Sequence, residues 1–247
     1  MLEGMYAAAA GMYAQQARLD SLSNDVANVN TAGYKPVRQA FRDLMYGQAG
    51  IAATNANMQL GTGAEVANLG RGTAQGAFQQ TDNPLDIAVS GPGYFTVKNP
   101  ADGKTVLTRA GNLQIDVQGR ISTATGELLE PEVKVPAGTD GSKVAIVANG
   151  SVQVNGKEIG KINLVNVAAP TRLDPLGDTN FGVNAESGPA RAAGADTTVQ
   201  QGVLEMSSAN LGDTMTAMIE TQRAYELTSK AITTQDKIAE IAIGVKR

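Results

Sequence analysis

Two aspartates, Asp82 and Asp86, come closest in type and spacing to a pair that could do acid–base chemistry. Two carboxylates can hydrolyse a glycosidic bond when one protonates the leaving oxygen and the other acts as base or nucleophile. Such a pair would make the middle of the chain a carboxylate-based hydrolase. The chain carries 24 acidic residues, however, so two at this spacing are easily found, and we interpret both as solvated or capping carboxylates.

Three short motifs could bind phosphate or carry a glycan, and each has a simpler structural explanation. Gly61-Thr62-Gly63 and Gly91-Pro92-Gly93 resemble fragments of phosphate loops, but neither has a third glycine or a following helix. Asn149-Gly150-Ser151 matches a glycosylation acceptor, yet Asn-Gly is also the strongest signal for a two-residue hairpin turn. We therefore assign all three motifs to turns or to close packing.

The 247 residues include no Cys, no His and no Trp. Without them the chain lacks a thiolate nucleophile, the usual general base and the commonest soft-metal ligands. A net charge of −4 and an aromatic content of 4% argue against binding of nucleic acid by phosphate neutralisation or base stacking. No 18-residue window is apolar enough to span a bilayer. The sequence therefore predicts no catalytic residue, no cofactor, no metal site, no nucleic-acid partner and no membrane insertion.

Prolines are confined to the middle of the chain, and their distribution outlines the secondary structure. All nine lie between Pro36 and Pro189, so the first 35 and the last 58 residues contain none. An interior proline costs a helix about 3 kcal/mol. The proline-free ends are therefore free to be helical, whereas the middle is rich in Gly, Pro and Asn turns. This distribution predicts two terminal helices around a β-rich insert.

Both terminal segments carry apolar residues at seven-residue spacing, which is typical of one helical face. We expect the first helix to end near Asn30, with Asn28, Asn30 and Gly33 as residues that tolerate a left-handed cap. We expect the second helix to begin at Asn210, whose side chain together with Asp213 resembles a capping box. Two helices cannot cover all of their own apolar faces, so partner subunits are the natural cover. The residues of this predicted assembly seam are Met5, Ala8, Met12, Leu19, Leu22, Val26, Val29, Leu211, Met215, Met218, Ile219, Tyr225 and Ile232.

The middle of the chain reads as a succession of hairpins. Asn149-Gly150 and Asn155-Gly156 separate alternating apolar runs, and Asp102-Gly103 does the same earlier in the chain. Leu113, Ile115 and Val117 alternate as in a half-buried strand. The fold class is therefore predicted as α+β, with paired, coiled-coil-like N- and C-terminal helices and a central antiparallel β domain. We expect a helical domain at 1–35 plus 207–247, an extended connecting arm at 36–82 and a β domain at 83–206.

Several longer stretches resemble a known family. SNDVANVNTAGYKPVRQAF and QRAYELTSK are similar to the N- and C-terminal signatures of the bacterial flagellar rod and hook axial proteins. QGAFQQTDNPLDIAVSGPGYF and LTRAGNLQIDVQGRI resemble blocks of the same family. The chain is therefore identified as a member of this family and is most similar to its distal-rod branch. The proximal-rod branch and rod paralogues stay open, because Ala209 and Leu107 depart from the family pattern.

This resemblance implies a structural subunit that assembles into a helical tube and transmits torque. The partners would be other copies of the chain, other rod proteins, hook subunits, surrounding ring or bushing proteins and the flagellar type III export apparatus. The location would be the basal-body rod that spans the periplasm, reached without a Sec signal, since the N-terminus has Glu3 where such a signal is basic. Two other classes stay open, a peptidoglycan-binding or hydrolysing β domain and a monomeric binding or adhesin module. The turn that leads out to the β layer would be fixed by Asn28, Asn30, Thr31, Gly33 and Tyr34.

Overall fold

The fold was determined as a computed structural model, which describes residues 2–44, 46–48, 59–61, 63–100, 102–136, 139, 141–194 and 196–245. These residues form two helices and a series of short strands, with 3-10 turns at Gly141–Lys143 and Pro170–Arg172. The elements in chain order are α1 (Leu2–Ala27), β1 (Val37–Asp43), β2 (Tyr46–Gln48), β3 (Gln59–Gly61), β4 (Ala64–Arg71), β5 (Phe78–Gln80), β6 (Ile87–Ser90), β7 (Tyr94–Lys98), β8 (Thr105–Thr108), β9 (Leu113–Ile115), β10 (Ile121–Thr123), β11 (Leu128–Leu129), β12 (Val144–Ile146), β13 (Ser151–Val154), β14 (Lys157–Lys161), β15 (Leu164–Asn166), β16 (Asp174–Gly177), β17 (Asn180–Gly182), β18 (Arg191–Ala192), β19 (Thr198–Gln201), β20 (Val203–Glu205) and α2 (Leu211–Val245).

The chain divides into two compact units, and each is built from segments that are distant in sequence. The helical unit comprises Met1–Ala27, Val37–Leu69 and Leu211–Arg247. The β unit comprises Asn28–Pro36 and Gly70–Asn210. The predicted α+β class is thus confirmed, with one helix at each end of the chain and antiparallel sheet between them. The finer predicted domain bounds at 1–35 plus 207–247, 36–82 and 83–206 stay a prediction.

Within the helical unit, α1 and α2 pack against each other and short strands accompany them. Strand β1 pairs with β4, and β2 pairs antiparallel with β3. Helix α2 begins directly after Asn210, as predicted. Helix α1 ends at Ala27, three residues before the predicted end, and the chain continues through a turn at 28–30. Thr62, in the middle of the motif Gly61-Thr62-Gly63, lies outside the described residues.

The β unit is organised around a nine-stranded sheet. Its strand order is β16-β17-β8-β7-β11-β10-β9, with β15 pairing both β7 and β18. Smaller sheets pair β12-β13-β14, β19-β6 and β20-β5 antiparallel. The two predicted Asn-Gly hairpins are confirmed as the β12–β13 and β13–β14 connections. Asn155 has φ 52° and Gly156 has φ 80°, the left-handed pair that a two-residue hairpin turn requires.

The core of the β unit is built mainly from branched aliphatic side chains. Phe95 is its single buried phenylalanine in the main cluster and is fully buried between strand residues. A second, smaller cluster contains Tyr94 and Phe181, whose rings meet edge to face at 5.9 Å. The main cluster consists of Ile87, Val89, Phe95, Val97, Val106, Leu113, Ile121, Leu129, Val133, Val135, Val144, Ile146, Val152, Val154, Ile162 and Val199.

One predicted strand is shorter than its apolar pattern. Leu113 is buried and Ile115 is partly buried on β9, but Val117 is fully exposed. The strand ends at Ile115 because the chain turns immediately afterwards. Asp116 N–H donates to the carbonyl of Arg120 at 2.8 Å, and Gly119 N–H donates to the carbonyl of Asp116. The alternation at Val117 therefore comes from a turn residue and not from a strand.

Candidate assembly interface

Two glycines of α1 lie close to side chains of α2. A Cβ placed on Gly4 would lie 3.0 Å from Nε2 of Gln235, and one on Gly11 would lie 3.8 Å from Cγ2 of Thr228. Ala14, on the same helix, is only 2% exposed. Because Gly4 and Gly11 have no side chain, side chains of α2 can lie directly against the backbone of α1.

The buried side of α2 is lined by threonines at seven-residue spacing. Thr214 and Thr221 are buried, and Thr228 continues the series. The hydroxyl of Thr221 donates to the carbonyl of Ala217 at 2.7 Å, and that of Thr228 donates to the carbonyl of Ala224 at 2.8 Å. These hydroxyls are thus satisfied within their own helix. The methyl groups remain available for packing, so a polar residue type behaves here as a small apolar one.

The apolar residues of the predicted assembly seam differ in how far they are exposed. Three of them follow one line along α2 at four-residue spacing, where Leu211 is 43% exposed, Met215 51% and Ile219 52%. The seam residue Val29 is not part of α1, because the helix ends at Ala27. The partly buried members are Met5, Ala8, Met12, Leu19, Leu22, Val26, Val29, Met218, Tyr225 and Ile232. Their role in assembly stays a prediction.

Further exposed apolar side chains on the helices escaped the sequence reasoning. Tyr6 is 72% exposed and Tyr13 is 80% exposed on α1, and Leu227 is 67% exposed on α2. The two tyrosines are seven residues apart and directly follow Met5 and Met12 in sequence. The seven-residue spacing of the tyrosines could have been recognised in the sequence, whereas Leu227 has no apolar residue seven positions before or after it. The exposed apolar surface of the helical unit therefore includes residues that are not part of the predicted seam.

Part of the segment predicted as an arm packs on α1 within the helical unit. A Cβ on Gly63, which has φ +116°, would lie 2.9 Å from Cβ of Ala10 and 3.3 Å from Cα of Ala7. The guanidinium of Arg18 lies 5.4 Å from the ring centroid of Phe41, a cation–π contact between α1 and β1. Strand β1 and Gly63, which directly precedes β4, therefore pack on α1.

The turn after α1 belongs to the β unit and has the geometry that its residues predict only in part. Gly33 is left-handed at φ +71°, as predicted, whereas Asn28 and Asn30 are not among the residues with positive φ. Instead Asn28 acts through its oxygens, because its carbonyl accepts from Thr31 N–H at 3.1 Å and its side chain accepts from the Thr31 hydroxyl at 3.1 Å. Tyr34 is buried and its N–H donates to the carbonyl of Thr31 at 3.3 Å.

Behind this turn lies a buried group of charges that sequence reasoning missed, formed by Lys35, Arg109 and Glu205 and called here the Glu205 cluster. Lys35 Nζ lies 2.5 Å from Oε1 of Glu205, and Arg109 Nη1 lies 2.9 Å from Oε2. Their side chains are 2%, 5% and 0% exposed. Gly76 N–H also donates to Oε1 at 2.9 Å, and Gly33 N–H donates to the backbone carbonyl of Glu205 at 2.8 Å.

The surroundings of the Glu205 cluster shift two pKa values. Burial, the largest influence, lowers the pKa of Lys35 below 10.5, although the hydrogen bond and charge of Glu205 oppose the shift. Burial also raises the pKa of the Tyr94 hydroxyl above 10.0, against the charge of Arg109. The Arg109 guanidinium lies 5.2 Å from the Tyr94 ring centroid. The cluster therefore carries two cations and one carboxylate in a site that disfavours charge.

The candidate catalytic and phosphate-binding residues occupy structural positions. Asp82 is exposed, whereas Asp86 is 7% exposed and accepts hydrogen bonds from the Thr81 hydroxyl at 2.7 Å and from the Asn83 amide at 2.9 Å. Gly91, at φ +103°, would place a Cβ 2.7 Å from the carbonyl oxygen of Asp196. Among the described residues, no group of three or more acidic side chains could hold a metal ion. Neither helix, over its described residues, is long and apolar enough to cross a membrane.

Three segments of the chain match families of known proteins. Residues 5–35 match the family described as flagella basal body rod protein. Residues 88–154 match the D1 domain of the flagellar hook protein FlgE/F/G, and residues 200–245 match the C-terminal family of the flagellar basal body rod FlgEFG proteins. The three residues of the Glu205 cluster lie within these segments, with Lys35 in the first, Arg109 in the second and Glu205 in the third.

Whole-chain relatives carry the same description. The chain is 34% identical to the flagellar basal-body rod protein FlgG of Borreliella burgdorferi, over all of both chains. It is also 34% identical to the FlgG protein of Bacillus subtilis, again over all of both chains. The flagellar basal-body rod protein FlgF of Mesorhizobium japonicum is 29% identical over 93% of this chain and 91% of its own. The comparison thus favours similarity to FlgG over similarity to the paralogue.

Proposed function

Because the chain belongs to the flagellar basal-body rod protein family, we propose that it is a distal-rod subunit which assembles with copies of itself into a helical tube. The tube transmits torque from the motor to the hook. Other rod proteins, hook subunits and surrounding ring proteins are its neighbours. In this role the chain performs no chemistry, and its terminal helices provide the contacts between subunits.

One observation carries this proposal, namely the distribution of side-chain size on α2. The buried side carries threonines, while Leu211, Met215 and Ile219 point a line of large apolar groups to the solvent. A monomer gains nothing from this arrangement, because exposed contiguous apolar surface marks a contact site. A second copy that covers the line through a different surface makes a heterologous contact, which propagates as a filament and does not close.

Methionine at the exposed line suits a contact with neighbours that are not identical. Its unbranched thioether side chain adapts to irregular surfaces. Subunits at the two ends of a rod meet different proteins, whereas those in the middle meet their own kind. Met215 and the predicted seam residue Met12 supply that adaptability on α2 and α1, so the same face can serve both kinds of neighbour.

The environments of the two candidate catalytic acids, Asp82 and Asp86, favour a structural role over an enzyme. Asp86 is buried and its carboxylate accepts two hydrogen bonds, whereas Asp82 is exposed, so the two do not share a common environment. The relatives are described as rod proteins. We also propose, as the family resemblance implies, that the chain is exported through the flagellum's own type III apparatus. It would then reside in the rod that spans the periplasm.

The substitution Met215→Glu tests the proposed interface. Met215 is exposed on α2, so a carboxylate there stays solvated in the monomer and the fold should survive. In the tube it would be buried without a partner, which is strongly unfavourable. Thr216→Glu is the matched control, because it places the same charge one residue away on another exposed face of the same helix.

The measurement is complementation of a strain that lacks this protein, with swimming scored on soft agar and isolated basal bodies counted by electron microscopy. Met215→Glu should abolish the rod, and Thr216→Glu should retain it. Circular dichroism of both purified variants checks that the monomer is intact. Full-length rods with Met215→Glu would show that this face is not the interface. If the unmodified chain were itself a stable soluble monomer with ordered termini that never entered a rod, the binding-module alternative would be favoured.

A further inference from the structure

We propose that the Glu205 cluster is a clamp which fixes the two segments joined to the terminal helices to the β unit as one junction. The two junction segments are residues 31–36, which follow α1, and residues 205–208, which precede α2. Glu205 is its positioning residue, and Lys35 and Arg109 hold its carboxylate. The inference rests on the proposed function and deepens it, since both segments lie beside points where the chain passes between the helical unit and the β unit and can carry torque there.

The carboxylate of Glu205 collects donors from three separate parts of the chain. Lys35 Nζ belongs to the first junction segment, Gly76 N–H to the segment that precedes β5, and Arg109 Nη1 to the end of β8. Lys35 Nζ also donates to the carbonyl of Ala74 at 2.6 Å. A single fully buried side chain thus joins segments that are up to 170 residues apart in sequence.

The backbone strengthens the same connection. Gly33 N–H donates to the carbonyl of Glu205 at 2.8 Å, and Ser208 N–H donates to the carbonyl of Tyr34 at 3.2 Å. The two junction segments are therefore hydrogen-bonded directly to each other. Arg109 adds a further tie, because its Nη2 donates to the carbonyl of Gly91 at 2.8 Å.

The charge of Glu205 is essential to this clamp, because an apolar side chain at this position could not accept the hydrogen bonds of the two cations. Glu205 has two carboxylate oxygens, and each of them accepts from a cation. Charge-assisted hydrogen bonds are shorter and stronger than neutral ones and fix direction as well as distance. If the carboxylate is neutralised, two buried cations lose their only counter-charge within the cluster. The junction should then open locally, while the sheet, which has its own apolar core, stays closed.

Hydrogen exchange on the purified full-length chain tests the clamp. The variants are Glu205→Gln, Lys35→Met and Lys35→Arg, and Glu65→Gln is the control in the exposed ion pair with Arg42. Glu205→Gln and Lys35→Met should speed exchange at the amides of Gly33, Gly76 and Ser208 by roughly tenfold or more. Amides of β7 should stay within about twofold of the unmodified chain. Lys35→Arg, which keeps a cation and donors, should restore most of the protection.

Each result decides for or against the clamp. Equal acceleration at the junction and at β7 would show that Glu205 supports only the overall stability of the β unit. No acceleration at the junction would show that the charges do not hold it. The same acceleration with Glu65→Gln, or no rescue by Lys35→Arg, would also overturn the inference. Because exchange is measured on the monomer, a failure of the proposed rod function would leave this result unaffected.

Discussion

Replacement of Gly33 by alanine should destabilise the chain far more than the same change at another left-handed glycine. Gly33 has φ +71°, and a Cβ there would lie 2.7 Å from both the carbonyl carbon of Arg109 and the amide nitrogen of Ala110. Both neighbours are backbone atoms, so they cannot swing away as the end of a side chain can. Gly156 has φ +80° but no atom within 4 Å of the corresponding position, which makes Gly156→Ala the matched control.

The expected magnitudes follow from these two geometries. A left-handed conformation costs a non-glycine residue about 1–2 kcal/mol, and both variants lose that amount. Ordinary contact begins at 3.4 Å, so at Gly33 the facing strand end must move by several tenths of an ångström. Overpacking of this kind costs a further ~1–3 kcal/mol. Gly33→Ala should therefore lose about 2–5 kcal/mol of the free energy of unfolding, against about 1–2 kcal/mol for Gly156→Ala.

Urea denaturation followed by circular dichroism measures both losses on the full-length chain. The slope with denaturant should be the same in both variants, so that the midpoints compare directly. Equal losses at the two sites would refute the reasoning, because they would show that only the backbone conformation matters and that Gly33 does not approach Arg109. A larger loss at Gly156 would refute it more strongly.

Two further predictions concern the β unit. Burial alone would raise the pKa of Glu127, but hydrogen bonds from Thr123, Thr125 and Asn180 outweigh it and lower the pKa below 4.5, so the unfolded state binds more protons in this range. The stabilising effect of Glu127 is thus present above pH 4.5 and is lost as the pH falls through the folded pKa. In urea titrations from about pH 5 to pH 3, the free energy of unfolding of Glu127→Gln should therefore fall less steeply than that of the unmodified chain. An equally steep fall in both chains would contradict this. A fragment of residues 28–210 should fold and melt cooperatively, whereas a fragment of residues 36–206 lacks Lys35 and should melt at a lower temperature by several degrees in calorimetry. Indistinguishable melting of the two fragments would show that Lys35 contributes nothing.

Local chemistry made much of the fold predictable from the sequence. The hairpins at Asn149-Gly150 and Asn155-Gly156 depend only on adjacent residues, and so does the start of α2 after Asn210. The seam between the helices was harder. Seven-residue spacing drew attention to Met12 and the other seam residues, whereas the structure shows a close contact between the helices at Gly11, where a Cβ would lie 3.8 Å from Cγ2 of Thr228. Periodicity shows that a face is apolar and does not show which partner covers it.

The Glu205 cluster could not be predicted, for a physical reason. Lys35 and Glu205 are 170 residues apart, and Arg109 and Glu205 are 96 apart. In sequence each is an ordinary charged residue of a kind that is normally solvated. Only the sheet topology brings them together, and no spacing rule connects positions so distant. The family-like blocks that contain Lys35 and Arg109 were recognisable, but the approach of both cations to the Glu205 carboxylate was not.

The hydrogen bond between Gly33 and Glu205 also has a consequence for the order of folding. Helices α1 and α2 are separated by residues 28–210, and closing a flexible loop of that length costs about 4–5 kcal/mol of chain entropy. Once the β unit has folded, residues 31–36 and 205–208 are already held side by side. The loop that the helices must close then shrinks to the few residues on either side of the junction. The folded β unit thus lowers the entropic cost of pairing α1 with α2, because it already holds the segments that lead to them side by side.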